Sequence, residues 1–271
     1  MKKSISIILT ILFLSMNPFS AFCQENDAPF FLNITKDAIL FGGGILLSGS
    51  DLILDNVLEI NRQEYDGRAY DKNDVNFIDR KLMHSYSEGR DKAADLLLAG
   101  TMLTPALLAA TDRSQWFTCA TMYAETLLIA NGIKELAKLA VTRPRPYMYY
   151  EAEGWPKDDV DEGDWANSFP SGHSTMAFAG ASFTSYTFAS FFPDSKWKIP
   201  VTVLSYSMAT GVAALRLSSG NHFLTDVLAG ACIGSAAGIL VPFLHTFNRN
   251  HDVGINLIPN GFSISMNTGS L

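Results

Sequence analysis

Apolar residues in this chain gather in long uncharged blocks and do not alternate with polar ones. The blocks recur near residues 38 to 50, 95 to 111, 116 to 138, 174 to 192, 199 to 215 and 225 to 245, with polar loops between them. They are rich in Ala, Leu, Met and Gly, longer than ordinary strands, and without a two-residue period, so each is expected to be a helix. Only the Phe/Ser/Thr run from Phe178 to Phe192 has a composition that also suits a strand. The expected fold is all-α, a helical bundle of about six core helices. Residues 55 to 92 are polar and charged and are expected to cover one end of the bundle with loops and short helices. Val253 to Met266 alternates apolar and polar positions around Pro259-Asn260-Gly261, which predicts a small hairpin in a C-terminal tail spanning 253–271. With no internal repeat or low-complexity linker, residues 24–252 read as one helical domain.

The N-terminus has a different layout. Lys2 and Lys3 precede an apolar stretch from Ile5 to Leu14, and small or polar residues follow up to Ala21 and Cys23, the three-part pattern of an export signal over residues 1–23. The alternative is an uncleaved anchor, because Ser4 to Phe22 carries no charge and is long enough to span a bilayer. A lipoprotein signal fits less well, since Phe22 stands before Cys23 where a small residue is wanted. Ala38 to Ser50 and Leu96 to Thr111 have 13 and 16 uncharged residues. Both fall below the roughly 20 a span prefers, so they are expected to be buried helices of a soluble or peripheral bundle. Ser174 to Phe192 and Val227 to Leu244 are uncharged and long enough to cross. Glu125, Lys134 and Glu135 on the third helix would be costly in lipid, which favours the soluble or peripheral bundle over an integral inner-membrane protein. Both arrangements are expected to place the functional site in the periplasm.

Composition narrows the function classes. The chain has 271 residues, 48% of them hydrophobic, which is ample for a core and excludes disorder. Its 20 Lys+Arg against 27 Asp+Glu give a net charge of −7, so a nucleic-acid-tracking surface is not expected. Any chemistry on phosphate must rest on a few placed cations. Three cysteines without a CxxC pair build neither a zinc site nor a disulfide framework, and Cys119 and Cys232 are expected to be buried thiols. Gly42-Gly43-Gly44 is read as close helix packing; without a following Gly-Lys-Ser/Thr it is not a nucleotide-binding loop.

Three stretches carry candidate chemistry. The first, Lys138-Leu-Ala-Val-Thr-Arg143-Pro144-Arg145-Pro146, is a helix end followed by a proline-stiffened loop presenting two guanidinium groups. A lysine complementing a helix dipole accounts for Lys138 taken alone. The second, Ser168-Phe169-Pro170-Ser171-Gly172-His173-Ser174-Thr175, opens a long apolar helix, where Ser and Gly expose backbone N–H groups to an anion and His173 stands as a proton donor. The third, Arg216-Leu-Ser-Ser-Gly-Asn-His222-Phe-Leu-Thr-Asp226, puts a cation at one helix end and a His/Asp pair at the start of the next. His222 and Asp226 are four apart, so Asp226 is expected to accept a hydrogen bond from one imidazole nitrogen and leave the other as a nucleophile. Each stretch alone has a plain structural explanation; three in succession describe convergent cations around two histidines.

The order Lys138, six residues, Arg145-Pro146, then Pro170-Ser171-Gly172-His173, then Arg216, five residues, His222, three residues, Asp226 resembles the type 2 phosphatidic acid phosphatase superfamily, which includes bacterial class A acid phosphatases and vanadium-dependent haloperoxidases. Many members have Ser before the third-motif arginine; here Leu215 stands there, which puts one auxiliary hydrogen bond in doubt. The resemblance implies that Lys138, Arg145 and Arg216, with Ser171 and Gly172, bind phosphate oxygens. It further implies that His222 is the nucleophile, Asp226 orients its ring, and His173 protonates the leaving group. No cofactor or metal is implied, and vanadate is expected to inhibit. The expected partner is a phosphorylated lipid or a small organic phosphate, with a membrane surface nearby. The expected activity is metal-independent hydrolysis of a phosphate monoester or diphosphate through a phosphohistidine. The alternatives are a vanadate-dependent haloperoxidase and a non-specific periplasmic acid phosphatase.

Outside these stretches, His84, His245 and His251 read as structural or surface residues. Glu151 to Asp164, with seven acids against one lysine, reads as a solvated loop or as a lid restricting anion entry; its register does not match a calcium loop.

Overall fold

A computed structural model describes the backbone of residues 28–56, 63–247, 253–258 and 261–266; the expected signal at 1–23 lies outside these residues. Six long helices coincide with the six apolar blocks. They are α1 (Ile34–Asn56), α3 (Glu88–Met102, followed by 3-10 turns over Thr104–Ala110), α4 (Trp116–Ala140), α6 (Gly172–Phe191), α7 (Lys198–Ser218) and α8 (Leu224–Leu244). Two short helices, α2 (Phe77–Leu82) and α5 (Lys157–Asp161), lie in the polar segments. The Phe/Ser/Thr run is helical throughout, because its side chains are almost all buried by neighbouring helices and tertiary packing outweighs strand propensity. In the tail, β1 (Val253–Ile258) pairs antiparallel with β2 (Gly261–Met266), Val253 opposite Met266 and Ile258 opposite Gly261.

Helix ends follow local chemistry. The α6 start is capped by Ser171, whose hydroxyl accepts from the Ser174 N–H at 3.4 Å. At the α8 start, Asp226 turns back to accept from the Phe223 N–H at 2.7 Å. The α7 chain reverses at Gly220, whose φ of +79° suits glycine.

Central in the bundle is α6, buried along most of its length. It and α8 touch backbone to backbone along Gly230, Gly234 and Gly238. A Cβ at Gly234 would lie 2.0 Å from the Thr175 carbonyl oxygen, and one at Gly230 would lie 2.5 Å from that of Ser171. This approach holds the α8 start, and with it His222, against the loop that opens α6. Of Gly42 to Gly44, only Gly44 packs closely, against Leu128. Because α8 turns its glycines inward, Cys232 faces out and is exposed; Cys119 is buried as expected.

The expectation of buried, soluble-type helices at 38–50 and 96–111 is corrected. The first is part of a 23-residue helix, and outward side chains of both are exposed, Leu46 at 75% and Leu96 at 78%. Among the described residues, three stretches, Glu88–Ala110, Lys198–Ser218 and Leu224–Leu244, are long and apolar enough to cross a membrane. The charges on α4 raise no objection to a bilayer, because Glu125, Lys134 and Glu135 are buried inside the bundle.

Candidate active site

At one end of the bundle the start of α3, the end of α4, the start of α6, the end of α7 and the start of α8 surround a cavity of about 450 Å³. Lys138, Arg145, Gly172, His173, Arg216 and His222, all singled out from sequence, line it. Ser171 and Asp226 are fully buried beneath it. The three motif loops are stitched by main-chain hydrogen bonds. Arg145 N–H donates to the Trp165 carbonyl at 2.8 Å, Ser168 N–H to that of Arg143 at 3.0 Å, and Tyr147 N–H to that of Gly220 at 3.1 Å. A cluster of Tyr147, Met148 and Trp165, with the rings of Tyr65, Tyr70 and Trp155 packed against it, forms from the same segments.

His222 is 3% exposed, and its Nδ1 donates to the Ser168 carbonyl at 2.8 Å. That bond leaves Nε2 carrying the lone pair. Burial, then the Arg216 and Arg145 charges, hold His222 well below the ordinary imidazole range, so the ring is neutral. His173 Nε2 pairs with Asp95 at 2.6 Å.

The expected hydrogen bond from His222 to Asp226 is not formed: Asp226 Oδ2 lies 3.9 Å from Nδ1. Four-residue spacing on one helix brings the two together only when both lie within it, and His222 precedes the helix while Asp226 is in its first turn. The carboxylate is spent on Phe223 N–H, on the Ser168 hydroxyl at 2.5 Å, and on Arg143. Asp226 therefore acts on the ring indirectly, by fixing the residue whose carbonyl holds it.

Arg143 does not line the cavity. It joins Asp226 to Asp79, which accepts from Arg143 at 2.7 Å, from Thr225 N–H at 2.9 Å, from the Thr225 hydroxyl at 2.7 Å and from Asn76 at 2.6 Å. Burial pushes the Asp79 carboxyl up, but the bonds from Thr225, Arg143 and Asn76 prevail and hold it below its usual range.

Sequence reasoning missed the acids that face the cations. Asp91 pairs with Arg216, and Asp164 pairs with Arg145, which also reaches Asn221 at 3.1 Å and lies 3.9 Å from Asp159. Lys134, also missed, lines the cavity, and its side chain passes beside Gly172, where a Cβ would come within 3.3 Å of it. The lining thus holds four cations (Lys134, Lys138, Arg145, Arg216) against four acids (Asp91, Asp95, Asp159, Asp164). Two of those acids come from the Glu151–Asp164 run, which is therefore more than a solvated loop: it supplies carboxylates at the cavity. Nothing in the sequence spacing marks Asp91 or Asp95, which reach the site only through the packing of α3 on α7.

Residues 120–250 match the model of the PAP2 superfamily. Among curated proteins, a lipid A 1-phosphatase of Porphyromonas gingivalis is 35% identical over a segment covering 29% of this chain and 16% of that protein. A probable diacylglycerol pyrophosphate phosphatase of Schizosaccharomyces pombe is 28% identical, covering 39% of this chain and 46% of that protein. The chain spans less than half the length of these relatives. A transmembrane PAP2-type phosphatidylglycerolphosphate phosphatase of Bacillus subtilis, solved by crystallography, superposes with a TM-score of 0.43 at 20% identity, covering 79% of this chain and 98% of that one. The segment that matches the PAP2 superfamily model contains all three motifs and every sequence-derived residue of the cavity.

Proposed function

We propose that this protein is a membrane-embedded phosphatase that hydrolyses a phosphate monoester or diphosphate, lipid-linked, through a phosphohistidine at His222, with its site facing the periplasm. The observation that carries this reading is the ring geometry: Nδ1 is committed to the Ser168 carbonyl, and the neutral ring borders a cavity it shares with Lys138, Arg145 and Arg216. Nε2 attacks phosphorus as the ester P–O bond breaks, and His173, which burial and the Arg216 charge lower to about 4 against the pull of Asp95 and which the negative charge of a bound phosphate would raise, gives its proton to the departing oxygen. The cations and the N–H groups at the α6 start bear the charge spread over the equatorial oxygens. In the second step His173 takes a proton from water, which attacks phosphorus and breaks the P–N bond, returning both histidines to their starting states. Embedding in a bilayer is supported by the three spanning-length stretches with outward apolar side chains, and it brings a lipid phosphate to the end of the bundle. The same residues would accept phosphatidic acid, polyprenyl diphosphate, lipid A or a small phosphomonoester.

The test is phosphate release from these four substrates by detergent-purified protein, together with acid-quench trapping of the enzyme. Wild type is expected to release phosphate in EDTA and to yield an acid-labile phosphoprotein that His222→Ala lacks. A phosphoprotein formed equally by the alanine variant, or activity lost to EDTA and restored by magnesium, would overturn it. High-pH carbonate washing is expected to leave the protein in the membrane fraction. A reporter fused after Asp164 is expected to be active only outside the cytoplasm.

A further inference from the structure

At the opposite end of the bundle, about 30 Å away along α8, three side chains converge that the phosphatase chemistry does not use. Asp37 comes from the first turn of α1, Glu125 from the middle of α4, and His245 from the residue that ends α8. Their ligating atoms all lie within 4.8 Å of one another. Glu125 and His245 are 0% exposed. We propose that Asp37, Glu125 and His245 form a structural site for a first-row divalent cation of the zinc class.

Two carboxylates and an imidazole are a donor set that zinc takes and that magnesium, which prefers oxygen ligands and retained water, does not favour. His245 Nε2 lies 3.2 Å from Asp37 Oδ1 and 3.3 Å from Glu125 Oε2. Ligand atoms about 2.0 Å from a tetrahedral zinc stand about 3.3 Å apart, so these separations match two edges of such a shell. The supporting bonds are also in place. His245 Nδ1 donates to the Val241 carbonyl at 2.8 Å, which directs the Nε2 lone pair toward the two acids. Asp37 Oδ2 is held by the Asn33 N–H at 2.8 Å, leaving Oδ1 for the cluster.

The independent observation is Glu125. Both of its carboxylate oxygens are buried and neither has a hydrogen-bond partner among the described residues. A protonated His245 has one Nε2 proton to divide between Asp37 and Glu125, whereas a cation at the centre serves all three. The nearest fixed positive charge, Lys36, turns its Nζ to the carbonyls of Phe31 at 3.0 Å and Leu244 at 3.3 Å. A bound cation would tie the start of α1 and the end of α8 to α4, in addition to the main-chain bond from Phe31 N–H to the His245 carbonyl at 2.8 Å.

The full chain in detergent, with any polyhistidine tag removed and treated with EDTA, is titrated with ZnCl2, and bound metal and Tm are measured. The expected result is about one Zn2+ per chain and a Tm raised by several degrees, with both responses lost in Glu125→Gln and His245→Gln. Should a variant fail to fold, wild-type protein loaded with Co2+ carries the test through the visible absorption of a tetrahedral nitrogen and oxygen site. No retained zinc and no cobalt band in wild type would overturn the proposal, as would equal zinc binding by the folded variants. Phosphatase activity assayed below the unfolding range is expected to survive metal removal.

Discussion

Replacing Asp164 by Asn is expected to tighten the grip of the site on phosphate-like anions. In the structure the Arg145 guanidinium is held from three sides: the Asp164 carboxylate, the Asp164 main-chain carbonyl at 3.1 Å from Nε, and Asn221 Oδ1 at 3.1 Å. Of these the first carries the charge in direct contact that an entering phosphate must outcompete; Asp159, at 3.9 Å, stands farther off and is left unchanged by the substitution. A hydrogen bond between charged groups contributes about 1.5–3 kcal/mol. The Asp164 side chain is 39% exposed against 7% for Arg145, so solvent screening brings the effective competition down to about 1 kcal/mol. At about 1.4 kcal/mol per tenfold, that is roughly a fivefold fall in the inhibition constant for vanadate. The amide keeps the side-chain volume, and the two neutral acceptors keep the guanidinium in place, so kcat is expected to change little while the KM for substrate falls. Inhibition titrations on wild type and Asp164→Asn at fixed ionic strength read the effect. An unchanged or weaker vanadate constant would mean that Asp164 positions Arg145 and does not compete for it.

Arg216→Ala deletes a buried cation of the cradle and is expected to lower kcat by about 10²–10³, measured at saturating substrate; a tenfold loss or less would place Arg216 outside contact with the reacting phosphate. Asp226→Asn removes the charged partner of Arg143 and an acceptor shared by Ser168 and Phe223, a change expected to cost about 3 kcal/mol of stability by denaturant unfolding. Because the Ser168 carbonyl still holds His222, measurable turnover is expected to remain, and complete loss in a folded variant would refute that indirect role. His222 is held well below 6.5 by burial and by Arg216 and Arg145. Its unfolded form binds a proton that the folded form refuses, so its contribution to stability is present above about 6.5 and is lost as pH falls below that value. By the same shift the proposed nucleophile is expected to stay neutral through mildly acidic pH. A His222 ring that titrates near 6.5 in the folded protein, followed by NMR, would contradict this.

The six long helices were legible because each is apolar over a dozen residues or more, and the loops between them carry the prolines and glycines that stop helices. The cations and histidines of the site were legible for a related reason: Lys138, Arg145, His173, Arg216 and His222 sit at helix ends or in the adjoining loops, where local spacing places them at one end of the bundle. What local spacing does not carry is which partner a buried group takes. Asp226 and His222 look like a pair at four residues apart, yet the N-terminal turn of α8 claims the carboxylate for Phe223 N–H, and the close glycine contact with α6 brings Ser168 between them. Whether Leu46 or Leu96 faces core or solvent is equally a property of the assembled bundle, and uncharged length alone misjudged both.

The polar segment at 55 to 92 and the start of α3 show the same limit from the opposite side. Read as a covering layer, this part of the chain contributes Asp79 beneath the site and Asp91 and Asp95 within it, each from a stretch where acids are common and nothing singles one out. Their roles follow from where the cations already are. Arg143, Arg145 and Arg216 are brought to the end of a largely apolar bundle, where a guanidinium without a counter-charge is costly, so each recruits a carboxylate from whichever segment reaches it. Asp79 is fully buried and holds Arg143 in a fixed place, while Asp91, Asp95 and Asp164 remain partly open to the cavity. The buried acid therefore belongs to the scaffold, and on the proposed reading Asp91 and Asp164 are the counter-charges that an incoming phosphate would displace.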